Sequence, residues 1–225
     1  MGIKSRDHEP TASISDTEIP TIAIFVDVEI KITGNGKKIE IIYRDNKYGR
    51  EKLRTDDPEL HFRELLASYA SGNDPAPRKK IDRPPGRKYR SSLSLRLEEL
   101  VYVAFRVSSK HDNWRFCHLD DPFTVQSGYG ADATDDSNKI AFDAKRVLTD
   151  GTVVPDTYNT VEEGTVSRVA YFIVDGHKLK VHHEGKSIPF NIHLDIVSTE
   201  NNIDRFIPII IDPDVGYPDG GGTPP

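Results

Sequence analysis

The sequence predicts an all-β protein, an antiparallel β-sandwich interrupted by one helical insertion. Three observations carry that prediction. Apolar residues recur with period two over several stretches, the signature of strands that bury one face. The separators contain Gly, Asp, Asn or Ser, without the strand–helix–strand rhythm of a doubly wound parallel sheet. One helix-start signature stands out, Asp56-Asp57-Pro58-Glu59.

The first element begins at Thr21, where Ile22, Ile24, Val26, Val28, Ile30 and Ile32 alternate with residues read as the outer face of a half-buried strand. Gly34-Asn35-Gly36 supplies the positive φ angles of a tight hairpin, and Lys37 to Arg44 returns. The helix follows over about 57–70. An Asp caps it, Pro58 fits the first turn, and Leu60, Leu66 and Tyr69, with Phe62 or Leu65, are expected to line its buried face. Residues 71–92 are rich in Pro, Gly, Lys and Arg and read as a long exposed loop. Strands are then expected at 93–97, 101–107, 123–126, 139–142, 166–174, 178–182, 188–197 and 205–211. Eight to ten strands with one helix fit an immunoglobulin-like, cupredoxin-like or jelly-roll-like sandwich. Trp114 is expected in its core, on the same strand face as Phe116.

The chain has 225 residues, 36% hydrophobic and 29% charged, the size of a single domain. That domain is expected to span 21–213, between disordered tails at 1–20 and 214–225. No apolar run approaches the roughly 18–20 residues that a membrane helix needs, so no membrane insertion is expected. The polar first twenty residues show no secretory pattern, and a cytoplasmic location is expected. Cys117 is the single cysteine, which excludes an internal disulfide and a Cys-rich zinc site. A net charge of −6 argues against a chain that coats nucleic acid as a whole.

Residues that could carry chemistry are scattered. His177, His182, His183 and His193 fall on neighbouring strand segments. Period-two parity nonetheless places His193 beside Asn191 and Asp195 on a solvent face, and points His182 and His183 to opposite faces. Asp120, Asp121, Asp132, Asp135 and Asp136 lack the spacing of a calcium loop. Cys117 and His118 are adjacent on extended backbone and point apart. Gly128-Tyr129-Gly130 leads into an acidic stretch, not a helix N-terminus with a Lys, so phosphate binding lacks its electrostatic cause. No catalytic residue, metal ligand or cofactor is assigned.

Two segments remain as candidate contact sites. Arg78, Lys79, Lys80, Arg83, Arg87, Lys88 and Arg90 set seven cations against Asp82, a local charge of +6, so the rest of the chain carries −12. Such a segment could contact RNA, DNA, an anionic membrane surface or the acidic body of another copy, but the preferred reading is a solvated loop kept open by its charge. The strand 205–211 is apolar on both faces. Ile207, Ile209 and Ile211 can face the core, leaving Phe206, Pro208 and Ile210 opposite. Pro208 favours an edge position, so the strand is a candidate for self-association. The competing reading has the N-terminal hairpin or the helix covering that second face.

Asn113-Trp114-Arg115-Phe116, Asp121-Pro122-Phe123-Thr124-Val125 and Ile209-Ile210-Ile211-Asp212-Pro213-Asp214-Val215 give the chain a resemblance to small bacterial β-sandwich proteins, over roughly residues 93–215. In outline it is similar to the PixA/AidA inclusion-body proteins. The shared residues resemble structural turns and core aromatics, so the resemblance implies no catalytic residue. The label "nucleotide synthetase" borne by some members implies a phosphate site for which the sequence has no motif. The expected function is that of a non-catalytic structural or protein-interaction protein, partnered by itself or another protein. The alternatives are a nucleotide-processing enzyme and a nucleic-acid binder acting through Arg78–Arg90.

Overall fold

The structure is a computed structural model that describes residues 18–33, 38–72, 79–80, 94–97, 99–108, 114–117, 121–125, 141–154, 167–177, 187–200, 203–211 and 214–216. Its elements in chain order are β1 (Ile22–Thr33), β2 (Lys38–Lys52), α1 (Pro58–Ala70), β3 (Lys79–Lys80), β4 (Ser94–Arg96), β5 (Leu100–Ser108), β6 (Trp114–Phe116), β7 (Phe123–Val125), β8 (Ala141–Val147), β9 (Val169–Asp175), β10 (Ser187–Glu200), β11 (Ile203–Ile211) and β12 (Asp214–Gly216). The protein is all-β with one helical insertion.

The strands form two sheets. The first has six, in the order β3-β2-β1-β5-β9-β8. The second is organised on β10, which pairs with β11, β12, β6 and β7, while β12 also pairs with β4. Ile192 lies opposite Ile211 and Pro189 opposite Asp214, so β12 continues the lane of β11 along β10 without a change of register. Most pairings are antiparallel as expected, but β1–β5 and β4–β12 are parallel. In both, strands far apart in sequence become neighbours, which alternation alone does not reveal.

The principal core lies between the sheets. Val26, Val28 and Ile30 of β1, with Val103, Phe105 and Val107 of β5, meet Phe190, Ile192 and Leu194 of β10. Trp114 and Phe116 join them, with Trp114 3% exposed, as expected from the sequence. Phe123, Phe172 and Phe190 pack around Phe105 with ring centroids 5.3–6.0 Å from it, Phe172 stacked and the other two tilted, within the range where aromatic pairs attract.

A second core corrects the reading of β1 as half-buried. Ala23 and Phe25 project to the other side of the first sheet and are fully buried against Phe62, Leu66 and Tyr69 of α1. Helix, first sheet and second sheet are thus three layers. The helix starts where its signature predicts: the Asp57 side chain accepts from the Leu60 N–H at 2.9 Å and Pro58 occupies the first turn. Phe62, Leu66 and Tyr69, at spacings of four and three, form the buried stripe. Leu60, expected there, is 51% exposed because it lies on the far side of the helix.

Boundaries moved elsewhere. The hairpin's second strand runs to Lys52, eight residues past the expected Arg44, because the long β1 offers it partners as far back as Ile22. Lys79 and Lys80, expected in a loop, pair with Asp45 and Arg44 as an edge strand. Asp214–Gly216, expected in a tail, fills the slot between β10 and β4. The strand expected at 178–182 lies outside the described residues.

Candidate functional site

Among the described residues, the histidine and aspartate candidates do not converge. His177 is exposed in the turn after β9, where its N–H donates to the Asp175 carboxylate at 3.0 Å. His193 is on the outer face of β10, as parity requires. Its Nε2 lies 2.7 Å from Thr124 Oγ1, which also accepts from the Asn191 amide at 3.5 Å. Asp195, expected in solvent on that face, is instead 2% exposed and opposes Arg115 across the β10–β6 pairing, Nε to Oδ2 3.7 Å. With that carboxylate engaged, no third group among the described residues orients the ring. Cys117 is buried, 4% exposed, and its main-chain N–H donates to the His193 carbonyl at 2.9 Å. Asp121 is exposed. His118, His182, His183, Asp120, Asp132, Asp135, Asp136 and Gly128-Tyr129-Gly130 lie outside the described residues. Among the described residues no cluster of three or more His, Cys, Asp or Glu could hold a metal ion.

Of the basic segment, Lys79 and Lys80 are described as β3, at the margin of the first sheet. Arg78, Arg83, Arg87, Lys88 and Arg90 lie outside the described residues.

The margin of the second sheet is more informative. β11 pairs with β10 on one side, and among the described residues nothing pairs with its other side. The main chain of His193 is turned toward β6 and β7: its carbonyl accepts from Cys117 and its N–H donates to Pro122. Even-numbered residues of β10 therefore bond to β11, through the odd-numbered Ile207, Ile209 and Ile211 opposite them. Phe206, Pro208 and Ile210 aim their main-chain groups at the free edge. Pro208, with no N–H to give, is tolerated there for that reason.

Side chains follow the same alternation. Ile211 is 4% exposed and Ile209 packs on the principal core, but Ile207, expected to face the core, is 51% exposed because β11 extends beyond it. Pro208 is exposed, and Ile210, directly opposite His193, is 57% exposed. The side chain of Phe206 lies outside the described residues. The helix packs on the other sheet, so it does not cover Ile210.

A groove of about 610 Å3 lies on the helix side of the first sheet. Tyr102, Tyr171 and Ile173 form its floor, Glu59, Arg63 and Leu66 of α1 one wall, and Gly151-Thr152-Val153 another. Glu18-Ile19-Pro20 and Lys145 complete it. Sequence reasoning missed this feature, because residues from six segments meet there and no local pattern links them.

No family model matches this chain, and no curated protein is significantly similar to it. No helix among the described residues is long and apolar enough to cross a membrane.

Proposed function

We propose that this chain is a non-catalytic protein-interaction β-sandwich that associates with a second copy of itself through β11. The observation that carries the reading is an edge strand exposing isoleucine on both faces, Ile207 and Ile210, since unpaired main-chain groups flanked by exposed apolar side chains are a template for pairing with another chain. The strand is also chemically symmetric about Pro208, with Ile207 and Ile209 one residue away and Phe206 and Ile210 two away. A two-fold interface sets each such residue against its counterpart. In an antiparallel register with Pro208 on the axis, Phe206 of one copy exchanges main-chain hydrogen bonds with Ile210 of the other. The central Pro208–Pro208 position then makes no main-chain hydrogen bond, and the two flanking Phe206–Ile210 pairs carry the ladder. The resembled motifs fit a structural role, since Trp114, Phe116 and Phe123 all lie in the core.

Light scattering after gel filtration tests the reading. The wild type is expected to be a dimer or larger at tens of micromolar, where a Kd of that size corresponds to about −6 kcal/mol. Ile210→Lys is expected to run as a folded monomer, with the unfolding transition that the wild type shows when diluted well below its Kd. A wild type that is monomeric at that concentration, or an Ile210→Lys variant that remains a dimer, overturns the proposal.

A further inference from the structure

We propose that the groove beside α1 binds a small organic acid, a molecule that joins a flat apolar body to one carboxylate or phosphate group, with Lys145 as its anion partner. The groove follows from dimensions. Six strands at about 4.8 Å spacing make a sheet about 24 Å wide, and one helix of about 10 Å diameter covers less than half of it. The helix lies over β1 and β5, where Ala23, Phe25 and Ala104 are buried beneath it. Toward β8 and β9 the same face emerges as Lys145, Tyr171 and Ile173.

Lys145 sits directly opposite Tyr171 in the β8–β9 pairing. It is partly buried and, among the described residues, holds no hydrogen bond or ion pair. Partial burial weakens the hydration of an ammonium, and among the described residues no carboxylate offsets the loss. Glu59 is engaged by Arg63, one helical turn away on the same wall. Glu18 is exposed at the rim, and an interaction through water is worth only about 1 kcal/mol even at 4 Å. An anion brought in by a ligand fills that role.

The floor suits the rest of such a ligand. Phe62 stacks on Tyr102 at 3.9 Å and meets Tyr171 edge-on at 5.1 Å, so both tyrosine rings are held before anything binds. Pre-ordered rings avoid the entropy cost of fixing them at binding. Ile173, Leu66 and Val153 extend the apolar lining, and the volume falls within the roughly 300–1,000 Å3 of small-molecule sites.

Calorimetric titration with 3-phenylpropionate, phenyl phosphate and the neutral 3-phenylpropanamide tests the inference. At least one acid is expected to bind with a Kd of about 1 mM or tighter, and the amide roughly tenfold or more weaker, the scale of one charge-assisted hydrogen bond. Lys145→Met keeps most of the aliphatic stem and is expected to erase the preference for acid over amide, while Lys145→Arg keeps it. Unfolding midpoints matching the wild type establish that each variant is folded. Equal affinity for acid and amide, an undiminished preference in Lys145→Met, or no acid binding up to about 10 mM overturns the proposal. Because the groove and β11 belong to different sheets, neither result bears on self-association.

Discussion

The outer face of the first sheet and the outer face of the second each carry a buried aspartate and arginine as direct cross-strand partners, yet the two pairs keep different company. On the first sheet Asp27 opposes Arg106, with contacts of 2.8 Å from Nε and 3.3 Å from Nη2 to the two carboxylate oxygens. The remaining guanidinium nitrogen donates to the Tyr69 carbonyl at 2.8 Å, and the Tyr69 ring lies 4.4 Å from the guanidinium carbon. Tyr69 in turn donates its hydroxyl to the Val26 carbonyl at 2.7 Å. The helix therefore ends on a cation, as its dipole favours, and its last turn is tied to β1 and β5 by polar contacts as well as packing. On the second sheet Arg115 opposes Asp195, and the neighbouring strand presents the exposed Ile210 and Pro208. Where the helix roofs the pair, the sheet face becomes a second core. Where the edge strand flanks it, apolar side chains reach solvent, and the proposed interaction surface is there.

The sharpest way to break the comparison is to remove one charge from the roofed pair. Asp27→Ala leaves Arg106 buried without its counter-ion and is expected to destabilise the protein by about 3–5 kcal/mol, measured by urea unfolding. An effect below about 1 kcal/mol would mean that water reaches the guanidinium once the carboxylate is gone. The helix is also held from its other side. Gly151 has a φ of 89°, and a Cβ there would come 2.6 Å from Ala67 Cβ. Gly151→Ala combines a left-handed strain with a clash and is expected to cost about 1–3 kcal/mol. Ile210→Lys is the contrast: an exposed strand position, expected to change monomer stability by no more than about 0.5 kcal/mol while removing the dimer.

Local chemistry was legible from the sequence and non-local pairing was not. Asp57 and Pro58 announce the helix because capping depends on residues three apart. Pro208 announces an edge because the missing N–H is a property of the residue itself. Asp27 and Arg106 are 79 residues apart, and nothing in either neighbourhood marks them as partners. Phe25 held a clue that alternation obscured, since an aromatic on the supposedly solvated side of β1 implies a covering layer. The exposure of Ile207 depends on how far the opposing sheet extends, and the groove on how much of the first sheet a single helix covers. Both are dimensions of the assembled layers, and period-two patterns carry no record of them.

The smallest expected effect refines the account of the turn that abuts the helix. Asp150 precedes Gly151, and its carboxylate accepts from the Thr152 N–H at 2.8 Å, which holds its pKa below the ordinary 3.8. A carboxyl whose pKa is lower in the folded chain than in the unfolded one stabilises the fold at pH values above the unfolded pKa. That contribution fades as pH falls through the folded pKa, because both states then bind the proton. Asp150→Asn retains an acceptor of the same shape without the charge. Its urea midpoint is therefore expected to lie slightly below that of the wild type near neutral pH, and the two are expected to converge below about pH 4. A gap that stays constant down to the lowest pH at which both fold would assign the effect to the amide's altered hydrogen bonding. The turn would then hold Gly151 against Ala67 through shape alone.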